Sequence, residues 1–167
     1  FDERDPRDYQ LFGIHYLILP SGYLPSVPPH LMLQAGPYSL WTTGTAHSVH
    51  LGRIVGLFAA NRTNLGVRSI SLLHSRLAQR SEYLRVAFNQ VEDHPRPLPT
   101  SLPEASPGTV THETDNLGQG EVAITARLRG PGVAVLSASF DPGWTAIIDG
   151  HARPAQMVAP ALVATAI

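Results

Sequence analysis

The chain has 167 residues, of which 43% are hydrophobic and 15% charged, and its formal net charge is −1. This balance excludes a disordered polar chain and argues against a nucleic-acid partner, which is held largely by an excess of positive charge. The sequence contains no cysteine and no lysine. Disulfides, thiolate nucleophiles, Schiff-base lysines and P-loop lysines are therefore excluded.

The N-terminal part of the chain predicts strands separated by a loop. Residues 14–19 and 38–43 are rich in branched and aromatic side chains, which favours strands. The prolines and glycine within residues 20–29 predict irregular backbone. Residues 47–60 predict a long strand with a bulge at one of its glycines.

One helix is predicted over residues 64–80, and residues 84–88 predict a short strand after it. Apolar residues at helical spacing form the stripe on which the helix prediction depends. That stripe consists of Ile70, Leu73, Leu77 and Leu84. A proline-rich loop is expected at residues 90–108 and is expected to cross a single domain that spans residues 1–167, since neither side of it has enough strands for a core of its own.

The last third of the chain alternates apolar and polar residues from Val122 onward, which predicts strands with one buried face. The dipeptide Asp149-Gly150 predicts a two-residue hairpin, because a type I′ turn requires a positive φ at both positions. Many short strands with turns between them predict a mainly β fold. We expect an antiparallel, jelly-roll-like β-sandwich with one inserted α-helix.

The same C-terminal region carries a family resemblance. A strand at residues 135–139 leads into Pro142-Gly143-Trp144, then a second strand, then Ile148-Asp149-Gly150. This order resembles the C-terminal part of the YfhO-like bacterial membrane proteins. Residues 11–18 and 36–41 are similar to two earlier segments of that family.

The resemblance implies a non-catalytic, extracytoplasmic domain of a multi-pass membrane protein similar to the GT-C glycosyltransferases, which use polyprenyl-phosphate sugars. It implies attachment to the membrane through flanking helices. No cofactor is assigned. The implied partner is a cell-envelope glycan or a polyprenyl-phosphate-linked sugar that the domain helps to bind or orient. No catalytic motif of the family falls in the matched residues, so no catalytic residue is assigned. A further strand follows in that family, so an open sheet edge is expected at Ile167.

Three residues of the C-terminal region are candidates for a glycan platform: Asp141, Trp144 and Asp149. An aromatic ring binds the apolar face of a pyranose, and carboxylates accept hydrogen bonds from its hydroxyls. The alternative is local and structural. Asp141 then initiates a turn, Trp144 fills the core and Asp149 forms the hairpin.

Arg127 and Arg129 lie two residues apart on one strand and are candidates for binding a phosphate or an anionic lipid headgroup. The alternative is a solvated face that discourages edge pairing.

The sequence gives little support for a metal centre. It gives equally little support for an acid–base site or a nucleophilic site. His47 and His50 are an odd number of residues apart, so on a strand they point to opposite faces, and no metal site is assigned. Glu113 and Asp115 share a face if their segment is extended, as a pair of carboxylates for glycoside hydrolysis would. The alternative is that they are simply acidic residues on the exposed face of a strand. No Gly-x-Ser-x-Gly elbow occurs.

Two other functions stay open. The chain is alternatively a free-standing carbohydrate-binding module of a secreted protein, or a small hydrolase with a sandwich fold. Flanking hydrophobic segments of about 20 residues in the gene would favour the membrane parent. A signal peptide with a hydrolase domain would favour the free-standing module.

Overall fold

The computed structural model describes residues 1–45, 47–61, 63–88, 106–116 and 118–167. The chain forms two compact units, residues 1–48 and residues 49–167. Two compact units can belong to one domain or to two separate domains, so the single domain over residues 1–167 stays a prediction. The expected loop at residues 90–108 lies outside the described residues as far as residue 105.

The N-terminal unit contains a short helix and a three-stranded antiparallel sheet. Its elements are α1 (Pro6–Leu11), β1 (Tyr16–Pro20), β2 (His30–Ala35) and β3 (Tyr38–Thr42). The strand order is β1-β3-β2, so β3 is central. The β1 and β3 strands confirm the prediction, whereas α1 and β2 were not predicted. Asp5 caps α1 by accepting the N–H of Arg7 at 3.0 Å.

The C-terminal unit is built mainly from strands. Its elements are β4 (Val49–Ala60), α2 (Leu65–Leu73), α3 (Arg76–Gln79), β5 (Glu82–Phe88), β6 (Gly108–Asn116), β7 (Glu121–Leu128), β8 (Val133–Ser139), β9 (Thr145–Ile148), β10 (His151–Pro154), β11 (Gln156–Val158) and β12 (Leu162–Ala166). Five of these strands close a barrel in the order β11-β12-β8-β4-β5. The mainly β class is confirmed. The expected jelly-roll sandwich is replaced by a closed barrel. The barrel closes because β11 pairs with β5 and completes the ring of strands.

The strands β4 and β5 are parallel, so the chain must cross over between them, and the helices α2 and α3 lie in this crossover. The predicted single helix is interrupted at Ser75, whose hydroxyl donates to the carbonyl of Leu72 at 2.6 Å and accepts the N–H of Leu77 at 3.2 Å. Leu72 and Leu77 are buried, whereas Ile70 is exposed. The predicted apolar stripe was therefore wrong at Ile70, and also at Leu84, which lies in β5 and not on a helix.

The helices cover one side of the parallel strand pair with apolar side chains. This cluster contains Phe58, Ala60, Leu72, Leu77, Leu84 and Ala159. Arg68 of α2 adds to the packing, since its guanidinium lies 5.1 Å from the centre of the Phe58 ring and donates to the carbonyl of Ala59. Burial of these side chains from water is the main contribution to holding α2 and α3 on the barrel.

The prediction of an open edge at Ile167 is wrong. Strand β12 lies between β11 and β8, so it has a hydrogen-bonded neighbour on each side. Ile167 itself donates to the carbonyl of Gly132 at 3.0 Å and accepts the N–H of Gly132 at 3.1 Å. The hydrogen bonding along β8 and β12 thus continues as far as residue 167.

Two antiparallel hairpins, β6–β7 and β9–β10, are separate from the barrel's ring of strands. In β7 the exposure alternates residue by residue from Glu121 to Arg127, as the sequence pattern predicts. Gly108 of β6 comes close to the barrel, because a β-carbon there would lie 3.1 Å from Leu51 of β4. Within the described residues, no helix has the length and apolar character needed to span a membrane.

Candidate functional site

A tight turn after β8 brings Asp141 and Trp144 together. The Oδ1 atom of Asp141 accepts the N–H of Gly143 at 2.7 Å, and its carbonyl accepts the N–H of Trp144 at 3.1 Å. This is the local geometry that Asp-Pro-Gly favours. A β-carbon on Gly143 would lie 3.0 Å from that Oδ1, so the absence of a side chain keeps the aspartate in place.

The indole of Trp144 is anchored at one end and half-buried. Its Nε1–H donates to the carbonyl of Ser139 at 3.1 Å, which fixes the ring against the end of β8. Asp141 beside it is exposed, and within the described residues its Oδ2 atom makes no hydrogen bond. One turn thus holds a partly exposed aromatic ring and, three residues before it, a carboxylate with an unengaged oxygen, and sugar-binding sites use both kinds of group.

Asp149 lies at the opposite end of the β9–β10 hairpin. Asp149 and Gly150 have φ angles of 50° and 79°, and Ile148 pairs with His151 across the turn. The predicted type I′ hairpin is thereby confirmed. Asp149 is five residue steps beyond Trp144 along extended chain, which amounts to about 16 Å. The structure therefore joins Asp141 with Trp144 and leaves Asp149 too far away to touch the same sugar ring.

The two candidate arginines lie on the other hairpin. Arg127 is opposite Thr109 in the β6–β7 pairing. Arg129 follows the end of β7, and its N–H donates to the carbonyl of Pro107 at 2.7 Å, so the extended pairing continues to that position. Both side chains are exposed. Residues two apart on extended backbone project to the same side, which places two guanidinium groups on one surface.

A hydroxyl–imidazole pair that the sequence did not reveal lies in the N-terminal unit. The His15 Nε2 atom is 3.1 Å from the Ser48 hydroxyl oxygen, although 33 positions separate the two residues. Thr43 places His15, because its N–H donates to the His15 carbonyl at 3.0 Å and prolongs the β1–β3 pairing by one step. Ser48 is only 9% exposed.

Such a pair supplies two parts of a nucleophilic triad. Within the described residues, the hydrogen bond to Ser48 is the only one that the His15 ring makes. A carboxylate that would orient the imidazole for proton transfer is thus absent from that part of the chain. The pair fits a structural hydrogen bond that ties residue 48 to the start of β1.

The remaining candidates stay apart in space. Among the residues that the structure describes, no three histidine or acidic side chains come together in a group able to hold a metal ion. Glu113 and Asp115 occupy alternate positions of β6, so they share a face as expected. Glu113 is half-buried and its Oε2 accepts the N–H of Val49 at 3.4 Å, whereas Asp115 is exposed.

Comparison of the chain with protein-family models, curated proteins and solved structures finds no match.

Proposed function

We propose that the chain is a non-catalytic, extracytoplasmic domain of a YfhO-like membrane protein related to the GT-C glycosyltransferases, and that it helps to bind or orient a cell-envelope glycan or a lipid-linked acceptor. The observation that carries the proposal is the single turn that fixes both the Trp144 ring, through Ser139, and the Asp141 carboxylate, through Gly143. The resemblance of the Pro142–Gly150 region supports the same context.

The turn would bind one sugar residue. The half-buried indole would stack on the apolar face of a pyranose through its exposed part, since its N–H is already engaged by Ser139. The Oδ1 atom of Asp141 holds the turn, so Oδ2 would accept the hydrogen bond from a sugar hydroxyl. Both groups are ordered before binding, which lowers the entropy cost of recognition.

A longer ligand would use the other candidate residues. Asp149 lies about 16 Å from Trp144 along the hairpin, a span that suits a different residue of an oligosaccharide. Arg127 and Arg129 would bind the phosphate of a polyprenyl-phosphate-linked sugar, because guanidinium groups pair with phosphate through parallel hydrogen bonds.

A free-standing carbohydrate-binding module would use the same turn. Neither the membrane-protein domain nor the free-standing module requires a jelly-roll sandwich, because binding at the turn depends only on β8 and the β9–β10 hairpin. The two roles differ in gene context, so the full open reading frame separates them.

The test is binding of the 167-residue chain to a panel of cell-envelope glycans. We expect Trp144→Ala to weaken binding by about tenfold or more and Asp141→Asn to weaken it less, since asparagine retains an Oδ1 acceptor for the turn. Trp41→Phe is the matched control, because the Trp41 indole also donates through Nε1, to the Ser39 hydroxyl at 3.0 Å, but lies in the N-terminal unit. Failure of the unmodified chain to bind any glycan, or equal binding by the Trp144→Ala variant, would overturn the proposal.

A further inference from the structure

One face of the N-terminal sheet is apolar and exposed, and it lies in a segment without formal charge. Residues 9–52 contain no aspartate, glutamate, lysine or arginine. The pairing register places Ile18, Leu40 and Leu33 side by side across β1, β3 and β2. Tyr38 and Tyr16 lie in the rows on either side of them. We call these five side chains the uncharged face.

The two sides of this sheet differ in exposure along β1 and at Tyr38 and Ser39 of β3, whereas β2 is exposed on both sides. On the uncharged face, Tyr16, Ile18, Leu33 and Tyr38 are each more than half exposed. On the opposite side of β1 and β3, Ser39 is buried and its neighbours Leu19 and Trp41 are half-buried, whereas Leu31 of β2 on that side is 51% exposed. An apolar surface of this kind is unusual on a folded protein and marks an interaction site.

The loop after β1 extends the uncharged face at one end of the sheet. Ser21 donates its N–H to the carbonyl of Pro37 at 2.8 Å, which holds the loop beside the turn between β2 and β3. Tyr23 and Leu24 follow in this loop and are among the most exposed apolar side chains of the described residues. At the other end of the sheet the row contains the polar residues Thr42 and His30. Apolar character therefore increases toward the loop.

We propose that the uncharged face and the Tyr23–Leu24 loop bind a lipid bilayer by entering its interfacial region. Insertion of a charged side chain is costly, and this segment has none to insert. Tyrosine suits the interface because its ring is apolar and its hydroxyl stays hydrated. A protein partner is ordinarily oriented in part by charged side chains around the contact, and residues 9–52 supply none.

This inference uses a different surface from the glycan turn and does not depend on the proposed function. Glycan binding is measured without lipid, and lipid binding is measured without glycan, so the failure of one leaves the other standing. Because the face has no cationic side chain, attachment by apolar burial is expected to be insensitive to salt and to anionic lipid.

The test is flotation of the 167-residue chain with phosphatidylcholine vesicles, alone or with about one-third phosphatidylglycerol. Ile18→Asp places a charge on the uncharged face, and Ile147→Asp is the matched control. Both are strand isoleucines, 71% and 73% exposed, but Ile147 lies in β9 of the other unit. We expect Ile18→Asp to reduce vesicle binding by about tenfold and Ile147→Asp to leave it unchanged.

A second variant, Leu24→Asp, lies outside any strand and gives the same readout if Ile18→Asp fails to fold. The proposal would be supported if the unmodified chain binds both vesicle types independently of salt and if Ile18→Asp or Leu24→Asp weakens that binding. Absence of vesicle binding, binding only to the anionic vesicles, or equal loss with Ile147→Asp would overturn it. Sedimentation without lipid tests the alternative that the face binds a second copy of the chain. A dimer that Ile18→Asp dissociates, together with no vesicle binding, would assign the face to that second copy and overturn the proposal.

Discussion

The carbonyl oxygen of Ser81 lies too close to Gly52 to leave room for a β-carbon on that residue. The Tyr83 ring is also close, with its Cε2 atom 2.6 Å from the position of that β-carbon. Ser81 has a φ of 54°, and its carbonyl accepts the N–H of Arg53 at 3.0 Å, just before the parallel pairing of Arg53 with Glu82. A glycine at residue 52 therefore allows β5 to join the barrel at this point.

Gly52→Ala should lower the free energy of unfolding by about 2 kcal/mol, because backbone and a buried ring both have to move to admit the methyl group. Gly66→Ala is the control, since Gly66 lies in α2 with open space around it. There alanine should raise stability by about 0.5–1 kcal/mol through its helix preference. Urea denaturation of both variants measures the contrast. Equal midpoints for Gly52→Ala and the unmodified chain would contradict this account.

The type I′ turn gives a second contrast. Gly150→Ala should cost about 1 kcal/mol, because alanine disfavours the φ of 79° found there. Asp149→Asn should be close to neutral, since asparagine tolerates the left-handed region, whereas Asp149→Val should be destabilising. Hydrogen exchange at Ile148 and His151, which pair across the turn, reports local opening. Faster exchange in Asp149→Asn than in Asp149→Val would be inconsistent with a turn role for this residue.

Short-range features of the fold were predictable from the sequence, and long-range pairing was not. The β9–β10 turn and the alternation in β7 follow from neighbouring residues. Closure of the barrel depends on pairs such as Val158 with Arg85, which no local pattern records. Strand β2 escaped prediction because it is apolar yet exposed along its whole length, so it lacks the alternation of a half-buried strand.

The same distinction applies to the candidate site. The Asp141–Trp144 turn was recognisable because the residues that form it are adjacent in the chain. The contact of His15 with Ser48 was not, because its two residues meet only after β1 and β3 pair. Helix α1 was not predicted, although its sequence signal is local. That signal is an aspartate followed by a proline at the first helical position.

That N-terminal cap leads to a third prediction. The hydrogen bond from the Arg7 side chain lowers the pKa of Asp5. Burial opposes this as the second-largest effect, and the Arg7 N–H and charge lower the pKa further. Asp5→Ala should destabilise α1 by about 1 kcal/mol, and Asp5→Asn by less. A lowered pKa means that this contribution is present at neutral pH and is lost as the pH falls through the pKa of the folded state. Chemical shifts of α1 residues measured against pH would reveal the loss, and an Asp5→Ala spectrum identical to that of the unmodified chain would refute it.

Tyr83 provides the fourth prediction, at alkaline pH. Burial raises the pKa of Tyr83 to about 12 from an ordinary value of 10.0, and a hydrogen bond with the Ser81 side chain opposes the rise. The folded chain therefore keeps the phenol proton at a pH where the unfolded chain releases it. The contribution of this residue to stability is intact below about pH 10 and is lost progressively between about pH 10 and pH 12. The loss at the upper end is on the order of 3 kcal/mol.

Urea unfolding of the unmodified chain and of Tyr83→Phe, repeated from about pH 8 to about pH 12, isolates this effect because the other titrating groups are common to both. Tyr83→Phe should be the less stable of the two at neutral pH, since it lacks the hydroxyl that contacts Ser81. It should then lose less stability than the unmodified chain as the pH rises, so the two curves converge. Parallel curves across this range would mean that the Tyr83 hydroxyl is solvated in the folded protein, contrary to its burial beside Gly52.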